Sequence, residues 1–252
     1  MQKKQQITQD NFYSEKYANS AWLNQREKDA HELLTRISSQ DLFQSTTKVL
    51  DVGCGSGDLG KVLLQKYQCE VHGIDLNQVG IDRANQLGMH AQLADLDERW
   101  PYPDHTFDVV TAAEIIEHVL NTDNFLQEAF RVLKPGGSLV IMTPNLTCWF
   151  NRIIFLAGYQ PFFTEVSTID KTIGLSFTRN LTDVRAPVGH IRVFAYRALI
   201  ELLQYHKFQI SFRKGATVYY LPWYMDFFDY FFSKIPSLCT DITVVAKKPL
   251  NQ

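Results

Sequence analysis

The feature that most limits how this chain can fold is a short apolar segment that runs directly into alternating glycines. Residues 49–60 read Val-Leu-Asp-Val-Gly-Cys-Gly-Ser-Gly-Asp-Leu-Gly. Glycines at this spacing permit a tight turn and let a ligand approach the backbone closely. The segment therefore predicts a strand, a ligand-binding turn and the start of a helix. Gly55, Gly57 and Gly60 also match the G-x-G-x-x-G dinucleotide fingerprint, which alone does not distinguish one nucleoside ligand from another.

Short β-rich segments alternate with helical stretches through the first 145 residues. This alternation predicts an α/β fold with a mostly parallel sheet, helices on both faces, and a ligand beyond the carboxyl ends of the strands. The predicted strands are 48–52, 70–75, 90–94, 107–112 and 138–143. The predicted helices are 18–40, 58–67, 78–88, 122–132 and 195–205, and two closing strands lie near 208–217 and 241–247.

Two long segments interrupt this alternation in the second half of the chain. Residues 145–190 begin with an apolar stretch, and 218–236 contain nine aromatic residues among 19. We expect the first to form a lid, because long connections in compact domains usually form lids or binding loops. The second has three interpretations: a core or homodimer helix, a hydrophobic acceptor site, or peripheral contact with a membrane. With both insertions, 1–252 is expected to form one domain.

Three acidic residues at the ends of successive predicted strands distinguish between nucleoside ligands. Asp51 ends the first strand, where it would attract an ammonium group and repel a pyrophosphate. Asp75 ends the second strand at the position of a ribose-binding acid, and Leu76 beside it can cover an adenine ring. Asp95 ends the third strand and can accept from an adenine amino group. These groups suit S-adenosylmethionine, whereas NAD would place phosphates against Asp51.

The sequence resembles the class I S-adenosylmethionine-dependent methyltransferases. The matching segments are VLDVGCGSG at 49–57, GIDLN at 73–77, ADL at 94–96, FDVVTAAEIIEHV at 107–119 and LKPGGSLVIMTPN at 133–145. The resemblance implies a Rossmann-like, seven-stranded, mostly parallel sheet whose last strand is antiparallel. It also implies that the methionine part of the donor is held by Asp51, Gly53, Gly55 and Gly57, the ribose by Asp75, and the adenine by Leu76, Asp95 and Leu96.

A second group of polar residues follows the fourth predicted strand, next to the expected methyl donor. If this segment is helical, Glu114, Glu117 and His118 occupy positions i, i+3 and i+4 on one face. With His190 as a fourth ligand, these residues can bind Mg²⁺, Mn²⁺ or Zn²⁺. Two alternatives remain. His118 and Glu114 can be catalytic residues without a metal, His118 as general base towards a hydroxyl, or the segment is purely structural.

The resemblance is also informative about the acceptor. Quinone-biosynthesis O-methyltransferases and small-RNA 2′-O-methyltransferases show a similar E-x-x-E-H with a later His, which implies a metal site that grips a diol or catechol. This chain lacks the His/Arg-rich lid motif of the RNA enzymes, and its 25 Lys and Arg against 27 Asp and Glu do not form the basic domain typical of nucleic-acid binders. DNA and RNA are therefore disfavoured as partners.

We expect O-methylation of a small, partly apolar hydroxyl acceptor. A quinone precursor, a sugar or polysaccharide, a polyketide and a lipid all remain open as acceptors. The rival functions are a catalytically silent S-adenosylmethionine-binding interaction protein and an RNA 2′-O-methyltransferase.

The N-terminus and the cysteines predict a cytoplasmic location. The first 12 residues lack the apolar core of a signal peptide, and no stretch of 18 residues is apolar throughout. Cys54, Cys69, Cys148 and Cys239 are scattered without C-x-x-C spacing, as expected of reduced thiols.

Overall fold

A sheet of seven strands forms the centre of the molecule. The structure is a computed structural model that describes residues 20–179, 185–217 and 226–251. The strands are β1 (Lys48–Val52), β2 (Glu70–Asp75), β3 (His90–Leu93), β4 (Phe107–Ala113), β5 (Leu133–Pro144), β6 (Gln209–Ala216) and β7 (Asp241–Lys247). Their order in the sheet is β3-β2-β1-β4-β5-β7-β6. All neighbours from β3 to β5 are parallel, and β7 is antiparallel to both β5 and β6. The predicted mostly parallel sheet with an antiparallel last strand is confirmed.

Helices cover both faces of this sheet, as predicted. They are α1 (Ser20–Arg36), α2 (Asp58–Tyr67), α3 (Gln78–Gln86), α4 (Thr122–Val132), α5 (Trp149–Leu156), α6 (Tyr196–Tyr205) and α7 (Asp226–Ser233). Adjacent residues of β1 point to opposite faces, as in any strand. Val49 belongs to the buried cluster that includes Leu33 of α1, whereas Leu50 belongs to the cluster that includes Phe125 of α4. The core therefore has two layers, one on each side of the sheet.

The strand order reverses direction between β1 and β4, and this reversal locates the functional crevice. β1 pairs with β2 on one side and with β4 on the other. In open α/β sheets, ligands bind beyond the carboxyl ends of the strands at such a switch point. The glycine turn follows β1, and the E-x-x-E-H segment follows β4, so both predicted groups lie at this edge.

The second half of the chain returns to the same edge by a long connection. Residues 145–190 contain α5 and a short 3₁₀ helix at Ser176–Thr178, and residues 180–184 lie outside the described residues. Of the aromatic segment, α7 is described, whereas 218–225 are outside the described residues. No helix in the described parts of the chain is long and apolar enough to cross a membrane.

Candidate functional site

The glycine turn after β1 is compact because two of its amide groups bond to the neighbouring strand. The N–H groups of Gly53 and Cys54 donate to the Ile74 carbonyl at 2.8 and 3.1 Å. Gly53 has a φ of 70°, and a Cβ added to it would overlap the side chain of Ile115. The turn therefore requires glycine for its conformation and for its close approach to the segment after β4. Gly57, with a φ of 80°, precedes α2 as its N-cap.

Asp75 connects the end of β2 to this turn. Its Oδ2 accepts a hydrogen bond from the Gly55 N–H at 2.8 Å, and its Oδ1 accepts one from the Asn77 N–H at 2.9 Å. Burial raises the pKa of the Asp75 carboxyl, against the opposing effect of these backbone N–H groups. The carboxylate thus has a fixed orientation beside the turn, where a ribose-binding acid is expected.

Asp51 lies buried at the end of β1. Its Oδ1 accepts a hydrogen bond from the Thr111 hydroxyl of β4 at 2.8 Å. Burial raises the pKa of Asp51 to about 7, while the Thr111 hydrogen bond and the charge of Arg26 act in the opposite direction. A buried carboxylate that has no cationic group bonded to it attracts a positive charge. The position of Asp51 therefore suits the ammonium group of a ligand.

The residues predicted to contact adenine have different environments. Leu76, two residues before α3, is 40% exposed. Asp95 is also exposed, and its Oδ1 accepts from the Asp97 N–H at 3.0 Å. Leu96 instead belongs to the hydrophobic core, where its carbonyl accepts from Nε1 of Trp100 at 3.4 Å. The side chains of Leu76 and Asp95 are therefore available to a ligand, whereas that of Leu96 packs inside.

The E-x-x-E-H segment is not an α-helix. Only Ile116–His118 form a single 3₁₀ turn, and Glu114 before it has a left-handed backbone with a φ of 55°. The segment therefore lacks the α-helical i, i+3 and i+4 face on which the predicted set depends. Burial raises the pKa of Glu114 well above its ordinary value, and its Oε1 is buried without a hydrogen-bond partner.

Three of the four predicted metal ligands converge at one point. One ligand atom from each of Glu117, His118 and His190 lies within 4.8 Å of the other two, and Glu114 is not part of this group. The imidazole centroids of His118 and His190 are 5.0 Å apart. Glu117 is fully buried, and one of its carboxyl oxygens, Oε2, accepts from the Thr143 hydroxyl at 2.9 Å. Its other oxygen, Oε1, is buried without a hydrogen-bond partner. We call Glu117, His118 and His190 the histidine cluster.

Backbone carbonyls orient both imidazoles of the histidine cluster. Nδ1 of His118 lies 3.1 Å from the Gly189 carbonyl, and Nδ1 of His190 lies 2.9 Å from the Phe163 carbonyl. Because a carbonyl oxygen only accepts, both rings carry their proton on Nδ1 when neutral. The Nε2 lone pairs are then left for a ligand, which is the usual arrangement of metal-binding histidines.

Burial determines the protonation of this cluster. Burial, and then the proximity of His190, lower the pKa of His118 to about 4, and burial also lowers the pKa of His190. Burial raises the pKa of Glu117 to about 8. At neutral pH the cluster therefore holds two neutral imidazoles and a largely protonated carboxyl. A divalent cation would replace that proton and bind the unpartnered oxygen.

Sequence reasoning missed Arg26, a half-buried residue of α1. Glu27 beside it forms an ion pair with Lys61 of α2 at 2.8 Å, which holds this part of α1 over the helix that follows the glycine turn. Arg26 lies four and seven residues before Ala30 and Leu33, which are both buried, so it is on the inward face of α1. The amphipathic pattern of α1 was the signal that could have identified it. Its positive charge lowers the pKa values of five groups in the site: Asp51, Asp75, Glu114, Glu117 and His118.

The helices α5 and α7 form an exposed apolar surface beside the site. Trp149 of α5 stacks on Phe232 of α7 with centroids 5.4 Å apart, and its Nε1 donates to Asp229 at 3.0 Å. We define the α5–α7 surface by its exposed apolar side chains: Ile153, Phe155, Leu156, Phe227, Phe228, Tyr230 and Phe231. Aromatic contacts lead from Trp149 through Phe150 and Phe163 to His190, with centroid distances of 5.6, 6.4 and 6.4 Å.

Comparisons with known proteins bear on the family to which the chain belongs. A family model described as a methyltransferase domain matches residues 22–211. The chain is 34% identical over 146 residues to a chloroplastic tocopherol O-methyltransferase of Arabidopsis thaliana, a match that covers 54% of this chain and 39% of that protein. It is 39% identical over 116 residues to a mitochondrial ubiquinone biosynthesis O-methyltransferase of Bos taurus, covering 41% and 30%.

Among solved structures, a SAM-dependent methyltransferase of Thermotoga maritima has a similar fold. The TM-score is 0.62 at 14% identity, and the alignment covers 95% of this chain and 97% of that one. The two curated relatives are matched over less than half of their own length. Because the family model spans most of the chain, including the glycine turn and the histidine cluster as far as His190, the protein belongs to the methyltransferase domain family.

Proposed function

We propose that this protein is an S-adenosylmethionine-dependent O-methyltransferase that acts on a small-molecule hydroxyl. The observation that carries the proposal is the contact between two sites. The glycine turn lies against Ile115, two residues before Glu117 of the histidine cluster. A donor bound at the turn therefore neighbours groups that suit a hydroxyl acceptor.

On the donor side, each group of the ligand has a counterpart. Asp51 binds the ammonium of the methionine part, and Gly53, Gly55 and Gly57 let that part approach the backbone. Asp75 accepts from the ribose hydroxyls, while Leu76, Asp95 and the backbone near Leu96 border the adenine. This assignment is supported by the burial of Asp51 and by the fixed orientation of Asp75.

On the acceptor side, the histidine cluster fits a divalent cation. Two Nε2 atoms and the unpartnered Oε1 of Glu117 offer three ligands of the kind that Zn²⁺ and Mn²⁺ accept, and leave positions for an acceptor. We therefore propose Glu117, His118 and His190 as the metal ligands, with Glu114 outside the set. A bound cation would lower the pKa of the acceptor hydroxyl and hold its oxygen in place.

The transfer is a nucleophilic substitution at the methyl carbon. The acceptor oxygen forms a C–O bond as the C–S bond breaks, and its electron pair stays on sulfur, which gives the methyl ether and S-adenosylhomocysteine. The hydroxyl proton is released to water, or to Nε2 of His118 if that imidazole is unligated. Alignment of the two substrates supplies most of the rate enhancement.

We propose a hydroquinone- or catechol-type acceptor with an apolar substituent. Two observations support this class. Matched relatives are named as tocopherol and ubiquinone biosynthesis O-methyltransferases. In addition, the aromatic contacts from Trp149 to His190 give the histidine cluster an apolar surrounding on this side.

We also propose that residues 1–252 form one domain that acts in the cytoplasm. A single sheet carries both core layers, which supports one domain. The four cysteines are buried free thiols, and unpaired cysteines are typical of a reducing compartment.

We further propose that the α5–α7 surface contacts the surface of a lipid bilayer, from which an apolar acceptor enters. Leu156 and Phe227 are 89% and 73% exposed. Two exposed cations lie beside them, Arg152 within α5 and Lys234 immediately after α7. Apolar side chains bordered by cations suit an anionic lipid surface.

Flotation with phosphatidylcholine–phosphatidylglycerol vesicles tests this contact. The double variant Phe227→Ser/Phe231→Ser should lose vesicle binding, while Tyr205→Ser, which changes an 80% exposed side chain on α6, should retain it. Absence of binding by the wild type contradicts the proposal. A wild-type dimer that becomes monomeric in the double variant assigns the surface to a homodimer instead.

Two assays test the methyltransferase function. Calorimetry should show binding of S-adenosylhomocysteine and none of NADH. Transfer of labelled methyl from S-adenosylmethionine should then be measured on a catechol, a hydroquinone, a sugar and a short RNA. Donor binding without transfer to any acceptor would favour the silent interaction protein, and transfer to RNA alone would favour the RNA enzyme.

A further inference from the structure

We infer that Glu165 is a positioning residue for the histidine cluster. The inference rests on the proposed function only in the use it gives the cluster. Glu165 itself has no ligand atom in the cluster, and it acts through the backbone segment that carries His190.

The carboxylate of Glu165 binds the backbone immediately before His190, at the end of the 145–190 connection. Its Oε1 accepts from the Val188 N–H at 2.6 Å, and its Oε2 accepts from the Gly189 N–H at 2.7 Å. Hydrogen bonds from backbone N–H groups to a carboxylate are stronger than those between neutral groups. Two such bonds fix the position and the orientation of the peptide units immediately before His190.

The orientation of both imidazoles depends on the backbone around Glu165 and on the backbone that Glu165 binds. The Gly189 carbonyl accepts from Nδ1 of His118, and the Phe163 carbonyl, two residues before Glu165, accepts from Nδ1 of His190. The backbone next to Glu165 therefore orients the His190 imidazole, and the backbone that Glu165 binds orients the His118 imidazole through the Gly189 carbonyl. On its other side, the segment is bonded to the cluster, because the N–H groups of Ile191 and Arg192 donate to the Glu117 carbonyl at 2.8 and 3.0 Å.

The backbone around Glu165 is itself held in an unusual conformation. Phe163 has a φ of 74°, a left-handed conformation that is rare for a bulky residue and is maintained only where surrounding contacts impose it. Those contacts come from Asn151 of α5, whose buried amide bonds both backbone groups of Phe162 at 2.8 and 3.1 Å. The carbonyl of this left-handed residue is the one that bonds Nδ1 of His190, so this constrained part of the chain orients one imidazole of the cluster.

The test measures the tautomers of the His118 and His190 imidazoles in the wild type and in Glu165→Gln. They are determined from the ¹⁵N chemical shifts of protein that is labelled at histidine and contains no metal. His118→Gln and His190→Gln variants assign the signals. In the wild type both rings should carry the proton on Nδ1, and in Glu165→Gln the proton should shift towards Nε2 in both. Zn²⁺ affinity should fall about tenfold, the usual loss when a partner behind a ligand is removed. Asp170→Ala is the matched control, because Asp170 also accepts two hydrogen bonds in the lid, both from Thr172.

Two outcomes would overturn the inference: unchanged tautomers in both Glu165→Gln and Glu165→Ala, or the same change in Asp170→Ala. S-adenosylhomocysteine affinity within about twofold of the wild type shows that each variant is folded. If the wild type binds neither S-adenosylhomocysteine nor Zn²⁺, the proposed function fails, and the tautomers still decide the role of Glu165.

Discussion

The proposed donor side and the proposed acceptor side of this site are built in different ways. The donor side comes from three consecutive strand ends, so Asp51, Asp75 and Asp95 follow the order of the chain. The proposed acceptor side combines a turn after β4 with the end of the 145–190 connection near His190. The first is a local product of the strand–turn–helix units, and the second depends on long connections returning to one edge of the sheet.

This difference has a functional consequence. Because the turn after β1 is fixed by the sheet and by Asp75, the donor side should bind its ligand even when the lid is altered. The proposed acceptor side depends on hydrogen bonds such as those that Glu165 accepts from Val188 and Gly189. Because these bonds lie outside the sheet, we expect their loss to leave the fold intact. The two sides should therefore respond separately to substitution.

The largest expected effect is on the acceptor side. Glu117→Gln should lower turnover by about a hundredfold or more, because the neutral amide would not bind a cation or compensate its positive charge. Chelation of the wild type should have the same effect. Glu114→Gln, close by but outside the cluster, should reduce turnover much less. Methyl transfer under saturating donor measures both. Equal losses in the two variants would contradict the separation of Glu117 from Glu114.

The next effect is on the donor side. Asp75→Ala should weaken S-adenosylhomocysteine binding at least about tenfold, because each charge-assisted hydrogen bond to the ribose contributes about 1.5–3 kcal/mol. Asp95→Ala, at an exposed position, should weaken it by about threefold or less. Calorimetric titration compares them, and an unchanged affinity in Asp75→Ala would remove Asp75 from the donor site.

Donor binding should also depend on pH through Asp51. Its pKa of about 7 in the free protein means that the carboxyl must lose a proton to pair with the ligand's ammonium. Binding therefore releases a proton below pH 7, and affinity should fall about tenfold between pH 8 and pH 6. Titrations across this range measure the slope. Asp51→Asn should bind weakly with little pH dependence, and a wild type with a flat profile would contradict the pairing.

The smallest expected effect comes from Arg26. Its positive charge lowers the pKa values of Asp51 and Asp75 and so favours the ionised carboxylates that would bind the donor. Arg26→Ala should therefore weaken donor binding by about fivefold, equivalent to about 1 kcal/mol. The loss should largely persist at high salt, because Arg26 is half-buried and partly buried charges are screened much less than exposed ones. Lys28→Ala, at an exposed position on α1, is the control and should have no effect.

Elements that are defined locally could be predicted from the sequence, whereas contacts made by long connections could not. The strands β1, β2 and β7 have the predicted ends, because apolar runs bounded by turn residues define them locally. The conformation of Glu114 could not be predicted, since its left-handed backbone arises where the chain leaves β4 and bonds to Met142 of β5. His190 was predicted because it closes the long insertion and because the resembling methyltransferases carry a later histidine. Glu165 has no motif around it and is identified only by its hydrogen bonds to distant amides.

The most direct test of the account is a paired binding measurement on the wild type and His190→Ala. Zn²⁺ and S-adenosylhomocysteine should each be titrated calorimetrically into both proteins. We expect one Zn²⁺ per wild-type chain and at least about a tenfold loss of Zn²⁺ affinity in His190→Ala. The S-adenosylhomocysteine affinities of the two proteins should agree within about twofold. A wild type that binds no Zn²⁺, or a variant that loses both ligands together, would contradict a site built from two separable sides.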